Sequence, residues 1–251
     1  MSMEPNNRRD AFDRRYFDDP DYPPGLKGGD EVRGYGYYPD YFPVVQAQLA
    51  ALAEITSGGT LLDAGCGKGA LAEYARRELR LHTVATDASD YALHQARQRR
   101  GGQFTVAADV IALPFCSQAF DLVWCNGVLQ YLPGEAAIPA LRELARVAGQ
   151  AAFVSNIAAC HRHGEWGRHD DLTRLYLTPG QWESLARRAG LHALALPFEG
   201  ESAILLLAGI TSLSAFRFVD RALELMRRLG ALDRDPPLLA HFIRKCRAAK
   251  A

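Results

Sequence analysis

The sequence predicts an α/β fold built on a mostly parallel sheet with helices on both faces. Two observations carry this. Short apolar runs alternate with helix-length segments from Thr60 to Ser155. Several of the runs, such as Ala151-Ala-Phe-Val154, are apolar throughout, as strands covered on both sides require.

Residues 1–43 form an arm rich in Tyr, Asp, Pro and Gly, with Asp-Asp-Pro-Asp-Tyr-Pro-Pro-Gly at 18–25 and Gly-Tyr-Gly-Tyr-Tyr-Pro at 34–39. That density of Pro and Gly prevents long helices. Its many aromatics are foreign to simple disorder. Two readings stand: an arm packed on the domain, or a lid ordering over a ligand.

The domain proper spans 44–210. A helix is expected from Val44 to about Ile55, closed by Ser57-Gly-Gly. Thr60-Leu-Leu-Asp63 reads as a buried strand and Ala70–Leu79 as a helix. Leu81–Thr86 is the next strand, and Ser89 caps a helix to about Arg100. Phe104–Ala108, Phe120–Cys125 and Gln150–Ser155 are further strands, with a helix at Glu135–Val147 before the last. Residues 157–177 read as an irregular insertion. Thr178 then caps a helix with Pro179 at its first position, and Gly190 stops it. Strands are expected near 192–197 and 202–208, and residues 211–251 form a helical extension.

Bulk properties narrow the function. The 251 residues carry 29 basic and 29 acidic side chains. Proteins that grip a phosphate backbone usually show a basic surplus, so no nucleic-acid partner is expected. The five cysteines, Cys66, Cys116, Cys125, Cys160 and Cys246, are scattered and lack metal-ligand spacing. That pattern suits reduced thiols and a cytoplasmic location. The longest apolar run, 203–210, is too short to cross a bilayer. No recognisable seam sets an oligomeric state.

The residues at the strand ends carry the chemistry. After Asp63 the chain reads Ala64-Gly65-Cys66-Gly67-Lys68-Gly69 and enters a helix. Ligands of such sheets sit at the carboxyl ends of the strands. Glycines let the backbone approach a ligand closely, and the helix N-terminus presents free N–H groups. The spacing is neither that of dinucleotide folds nor that of a phosphate loop. Asp63 opposes a pyrophosphate and suits a ligand bearing an ammonium group.

Asp63-Ala-Gly-Cys-Gly-Lys-Gly69 resembles the first motif of class I S-adenosylmethionine-dependent methyltransferases. Further segments fall where that family has them: Thr86-Asp87-Ala88, Ala108-Asp109-Val110, and Asn126-Gly-Val-Leu-Gln-Tyr-Leu-Pro133. The resemblance is firm over about 60–156. It implies a Rossmann-like, doubly wound sheet of seven strands, the last antiparallel, and S-adenosyl-L-methionine as cofactor. It implies that Asp87 accepts the ribose hydroxyls and Asp109 the adenine amino group, with Val110 against the ring. Asp63, Ala64, Gly65, Cys66, Gly67, Gly69, Ala88, Ala108 and Asn126 complete the implied cofactor set.

Where many relatives have Glu-His after the fourth strand, this chain has Gln130-Tyr131. Tyr131 can orient an acceptor, but a phenol is a poor base at neutral pH. His161, just past the fifth strand, is the other catalytic candidate, since an imidazole suits general-base work. Tyr35, Tyr37, Tyr38, His163, Trp166 and His169 are candidates for the acceptor wall or lid. His-x-His in an irregular loop is not a scaffolded ligand set, so no metal is expected. The expected function is methyl transfer to a small-molecule acceptor. The alternatives are transfer to RNA or protein, and an S-adenosylmethionine-binding protein whose activity is changed or absent.

Overall fold

The computed structural model describes residues 12–18, 59–99, 104–158, 175, 177–198 and 202–208, with a few positions between 45 and 53. Its elements run α1 (Arg14–Asp18), β1 (Thr60–Ala64), α2 (Ala70–Arg77), β2 (His82–Asp87), α3 (Asp90–Gln98), β3 (Phe104–Ala107), β4 (Phe120–Asn126), α4 (Ala137–Val147), β5 (Ala148–Ala158), α5 (Pro179–Arg188), β6 (His192–Phe198) and β7 (Ser202–Ala208). Two 3₁₀ turns, Leu129–Tyr131 and Gly134–Ala136, lie between β4 and α4. The expected helices within 211–251 lie outside the described residues.

The strands form one Rossmann-like sheet of order β3-β2-β1-β4-β5-β7-β6. β1 to β5 pair in parallel, whereas β7 runs antiparallel to both β5 and β6. The chain begins in the middle, steps outward to β3, then returns to lay β4 against the other side of β1. Connections therefore diverge at the carboxyl ends of β1 and β4, and this divergence opens a crevice.

Burial explains the apolar strands. Leu61, Leu62 and Ala64 in β1 and Leu122 to Cys125 in β4 are buried. One core cluster joins β4 and β5 to α4 and α5 through residues such as Leu141, Leu144, Val154 and Trp182. A smaller one, with Ala72, Ala85, Leu93 and Ala96, sits under α2 and α3. At the base of the sheet Asp121 accepts from the backbone N–H of Thr60 at 3.0 Å, pinning β4 to β1.

The helix ends follow the sequence signals. The Ser89 hydroxyl accepts from Ala92 N–H at 3.1 Å. Thr178 and Gln181 form a reciprocal capping box ahead of α5. Gly190, at φ 79°, turns the chain out of that helix.

Three of the boundary differences have a clear physical cause or consequence. β5 covers Ala148–Ala158 instead of 150–155, so Ile157 and Ala158 belong to the strand and not to the insertion. The cause is tertiary: β7 supplies ladder partners for both residues. β2 extends to Asp87 because β3 pairs with it there. The helix expected from Glu135 opens as a 3₁₀ turn and becomes α-helical at Ala137.

Candidate active site

The loop after β1 is held by β2. Gly65 N–H and Cys66 N–H both donate to the Thr86 carbonyl, at 2.7 and 2.8 Å. Gly67 N–H donates to Asp87 Oδ2 at 2.8 Å, and Ser89 N–H to Asp87 Oδ1 at 2.8 Å. Asp87 thus fixes the turn leaving β1 and the cap of α3 together. Burial pushes its carboxyl pKa up, opposed by the N–H groups of Ser89, Gly67 and Ala88.

Two glycines of this loop are dictated by space. Gly65 lies at φ 79°, and a Cβ there would stand 2.2 Å from Val128 Cγ2. Gly69 lies at φ 77°, and a Cβ there would stand 2.8 Å from the Ala96 Cβ. The first glycine lets the loop close on the turn after β4. The second lets α2 start against α3.

Asp63 is 2% exposed, and its Oδ2 has no hydrogen-bond partner among the described residues. Burial, followed by the nearby charge of Asp87, pushes its pKa up to about 7, while the Ala72 N–H opposes the shift. An orphaned carboxylate oxygen in the interior is costly unless a donor or cation reaches it. Burial pushes the thiol of Cys66 well above its ordinary value, and Asp87 and Asp63 add to this, so Cys66 is a packing residue and no nucleophile.

A pocket open to solvent occupies the crevice. Gly65, Gly67, Asp87, Ala88, Ala108, Asp109 and Val110 line one side of it. Ala108 N–H donates to the Asp87 carbonyl at 3.0 Å, and Asp109 Oδ1 accepts from Ile111 N–H at 3.2 Å. The structure therefore brings most of the expected cofactor set together. Asp63, Ala64, Cys66, Gly69 and Asn126 do not line the pocket, and Asp63, Ala64, Cys66 and Asn126 are buried in the framework behind it.

The other side comes from the arm and from the turn after β4: Phe12, Tyr16, Phe17, Gly127, Val128, Tyr131 and Leu132. Of these only Tyr131 was expected. Asp13 starts the arm helix by accepting from Arg15 N–H at 2.8 Å. Phe12 and Tyr16 are four residues apart, the spacing of helix neighbours. Asp13 as a cap with Tyr16-Phe17 three residues on is the readable signal, and the prolines downstream obscure it. Asp18, at the end of α1, pairs with Lys68 of the glycine loop at 2.5 Å and accepts from the Tyr91 hydroxyl. Those two contacts hold its carboxyl below the usual range. Ser89 Oγ donates to the Phe12 carbonyl at 2.5 Å.

His161, His163, Trp166, His169, Tyr35, Tyr37 and Tyr38 lie outside the described residues. Among the described residues no group of three or more His, Cys, Asp or Glu could hold a metal, and no helix is long and apolar enough to cross a membrane.

The donor set fits the adenosylmethionine expected from the sequence. Acidic groups lie at the carboxyl ends of three adjacent strands, and an orphaned buried carboxylate backs the loop. Residues 62–154 match the family described as "Methyltransferase domain". Malonyl-[acyl-carrier protein] O-methyltransferase of Pseudescherichia vulneris is 37% identical over 109 residues, 43% of this chain and 42% of that protein. The enzyme of that name from Erwinia pyrifoliae is 31% identical over 179 residues, 68% of this chain and 62% of that protein. The chain thus spans less than two thirds of the length of these curated relatives. The O-methyltransferase NcsB1 from neocarzinostatin biosynthesis, solved with S-adenosylmethionine, shares the fold with a TM-score of 0.53 at 20% identity, over 64% of this chain and 52% of that one. Glycine loop, strand-end carboxylates and family match agree: residues 62–154 are a methyltransferase domain, and the donor set at its strand ends fits S-adenosyl-L-methionine as its cofactor.

Proposed function

We propose that the chain transfers a methyl group from S-adenosylmethionine to a small acceptor, and that the accepting atom is a carboxylate oxygen of an acyl compound, free or tethered to a carrier protein. The observation that carries the reading is the two-sided pocket: carboxylates at the ends of adjacent strands on one side, an aromatic wall on the other.

When bound, S-adenosylmethionine supplies a sulfonium methyl that a nucleophile takes in line, the bonding pair staying on sulfur. The chain's own residues bind, orient and exclude water. The Asp87 oxygens accept backbone N–H groups of Gly67, Ser89 and Ala88 and keep lone-pair capacity for the ribose hydroxyls. Asp109, with Ala88, Ala108 and Val110, serves the adenine side. Asp63, behind Gly65 and Gly67, offsets the ammonium of the methionine portion. Gly65, Gly67 and Gly69, with Ala64, Cys66 and Asn126, shape the backbone cradle.

A carboxylate acceptor arrives as an anion and has no proton to lose. The described part of the acceptor wall offers phenols and no imidazole, which suits that chemistry. A hydroxyl acceptor would call for a base, the role assigned above to His161. The names of the Pseudescherichia and Erwinia relatives point to acyl O-methylation as well.

The test is incubation of the full chain with S-adenosylmethionine and acyl acceptors, malonyl-acyl carrier protein first among them. S-adenosylhomocysteine should accumulate in step with a methyl ester detected by mass spectrometry. Turnover with amines or alcohols but with no carboxylate would refute the acceptor class. Asp87→Ala should weaken S-adenosylmethionine binding in calorimetry about ten-fold or more, because charge-assisted contacts are lost. Unchanged affinity would remove Asp87 from the ribose site.

A further inference from the structure

Tyr16 and Tyr131 are 115 positions apart in the chain and meet over the pocket. Tyr16 comes from the arm helix and Tyr131 from the 3₁₀ turn after β4. Their hydroxyls stand 3.2 Å apart, with Tyr16 donating. The rings meet nearly edge-on at 6.2 Å, and the Phe12 ring braces both, at 4.8 Å from Tyr16 and 5.4 Å from Tyr131. The other described side chains of this side, Phe12, Phe17, Val128 and Leu132, are apolar.

A pocket of this kind orients its ligand through a small number of placed polar groups. Among the described residues of this wall those groups are the two phenols. A separation of 3.2 Å lies beyond the usual range for O–H···O, which ends near about 3.0 Å, so their mutual bond is weak. Hydroxyls rotate, and phenols keep their protons at neutral pH. Two adjacent uncharged donors in an apolar wall match an oxygen that only accepts. A phenol can accept as well as donate, but only an oxygen that carries no proton uses both O–H donors at once.

We propose that Tyr16 and Tyr131 together hold one oxygen of the acceptor's carboxylate and leave the other oxygen to take the methyl group. Tyr16 is then a specificity-determining residue brought by the arm, and the acceptor site is complete only with α1 docked. The proposal rests on the carboxylate reading above and adds the residues that would select it.

The test uses the full chain loaded with S-adenosylhomocysteine and the malonyl thioester of N-acetylcysteamine as probe. Calorimetry gives the affinity of each ligand for the wild type, Tyr16→Phe, Tyr131→Phe and the double variant. Phenylalanine keeps the ring contacts, so folding is retained. Each single variant should bind the probe about ten-fold more weakly, the scale of a hydrogen bond to a charged group. The double variant should fall short of the product of the singles, as expected for groups acting on one oxygen. S-adenosylhomocysteine affinity should stay within about two-fold, whereas a purely structural role for Tyr16 would weaken both ligands in parallel. Such parallel loss, unchanged probe affinity, or a wild type that binds S-adenosylhomocysteine and ignores the probe each overturns the proposal. Failure of the wild type to bind S-adenosylhomocysteine would overturn the cofactor reading along with it.

Discussion

The two sides of the pocket are made by different means. The carboxylate side is local: Asp87 and Asp109 lie at the ends of β2 and β3, with Asp63 near the end of β1 buried behind them, and the strands' register puts them on one edge. The aromatic side is assembled from segments more than a hundred residues apart, joined by side-chain contacts such as the Tyr16–Tyr131 pair. One side is a property of the sheet and the other a property of docking. Damage to the first should change stability and cofactor affinity together. Damage to the second should change occupancy and release while the domain stays folded.

The largest effect is expected where both sides touch. Gly65 faces Val128, and a side chain there meets both a positive φ and a contact of 2.2 Å. Left-handed backbone costs a non-glycine residue roughly 1–2 kcal/mol, and overpacking typically adds about 1–3 kcal/mol. Gly65→Ala should therefore lower unfolding free energy by about 2–5 kcal/mol in urea titration and remove measurable cofactor binding. A variant with wild-type stability would mean that the turn after β4 yields freely and that the two sides are not coupled through Val128.

The same contrast explains what the sequence disclosed. Strand alternation, the Ser89 and Thr178 caps and the strand-end acids are short-range signals, and each appears where expected. The Asp87 contacts to Gly67 and Ser89 follow from a loop and a cap already legible in the sequence. Phe12, Tyr16 and Phe17 were not legible as pocket residues. Nothing local tells an aromatic arm which turn it will cover, and by sequence alone the tyrosines at 35–38 are equal candidates. The extent of β5 was hidden for a related reason, since Ile157 and Ala158 pair with a strand more than forty residues later.

A pH test separates the two sides with a smaller effect. The pKa of Asp63 in the free protein is raised from 3.8 to about 7, chiefly by burial and secondly by Asp87. A raised carboxyl pKa means that the folded state holds the proton more tightly than the unfolded chain. Its contribution to stability is full below the unfolded pKa and is lost as pH rises through about 7. A cationic ligand beside Asp63 acts in the opposite sense, because it favours the ionised form and displaces the proton. Cofactor affinity should thus rise about ten-fold from about pH 6 to 8, and Asp63→Asn should flatten that rise relative to wild type. The variant should also melt higher than wild type at alkaline pH and alike at acidic pH. Parallel pH profiles for variant and wild type would place the orphaned oxygen away from the ligand's charge.

The smallest effect concerns the joint between arm and loop. Asp18 pairs with Lys68 across half-exposed surface, with side-chain exposures of 34% and 21%, and also takes the Tyr91 hydroxyl. Ion pairs in such positions contribute little to stability because water and salt screen them. Asp18→Asn should leave the melting temperature nearly unchanged. Lys68, however, belongs to the loop that cradles the cofactor, and α1 lies over the same pocket. Any ligand leaving past α1 must wait for that joint to open, so the pair should act on rate more than on equilibrium. Release of S-adenosylhomocysteine, followed by stopped-flow displacement, should quicken about two- to three-fold in the variant, and raised salt should quicken the wild type toward the same rate. If neither the substitution nor salt alters release, ligand exchange does not pass α1, and the arm serves only as a wall.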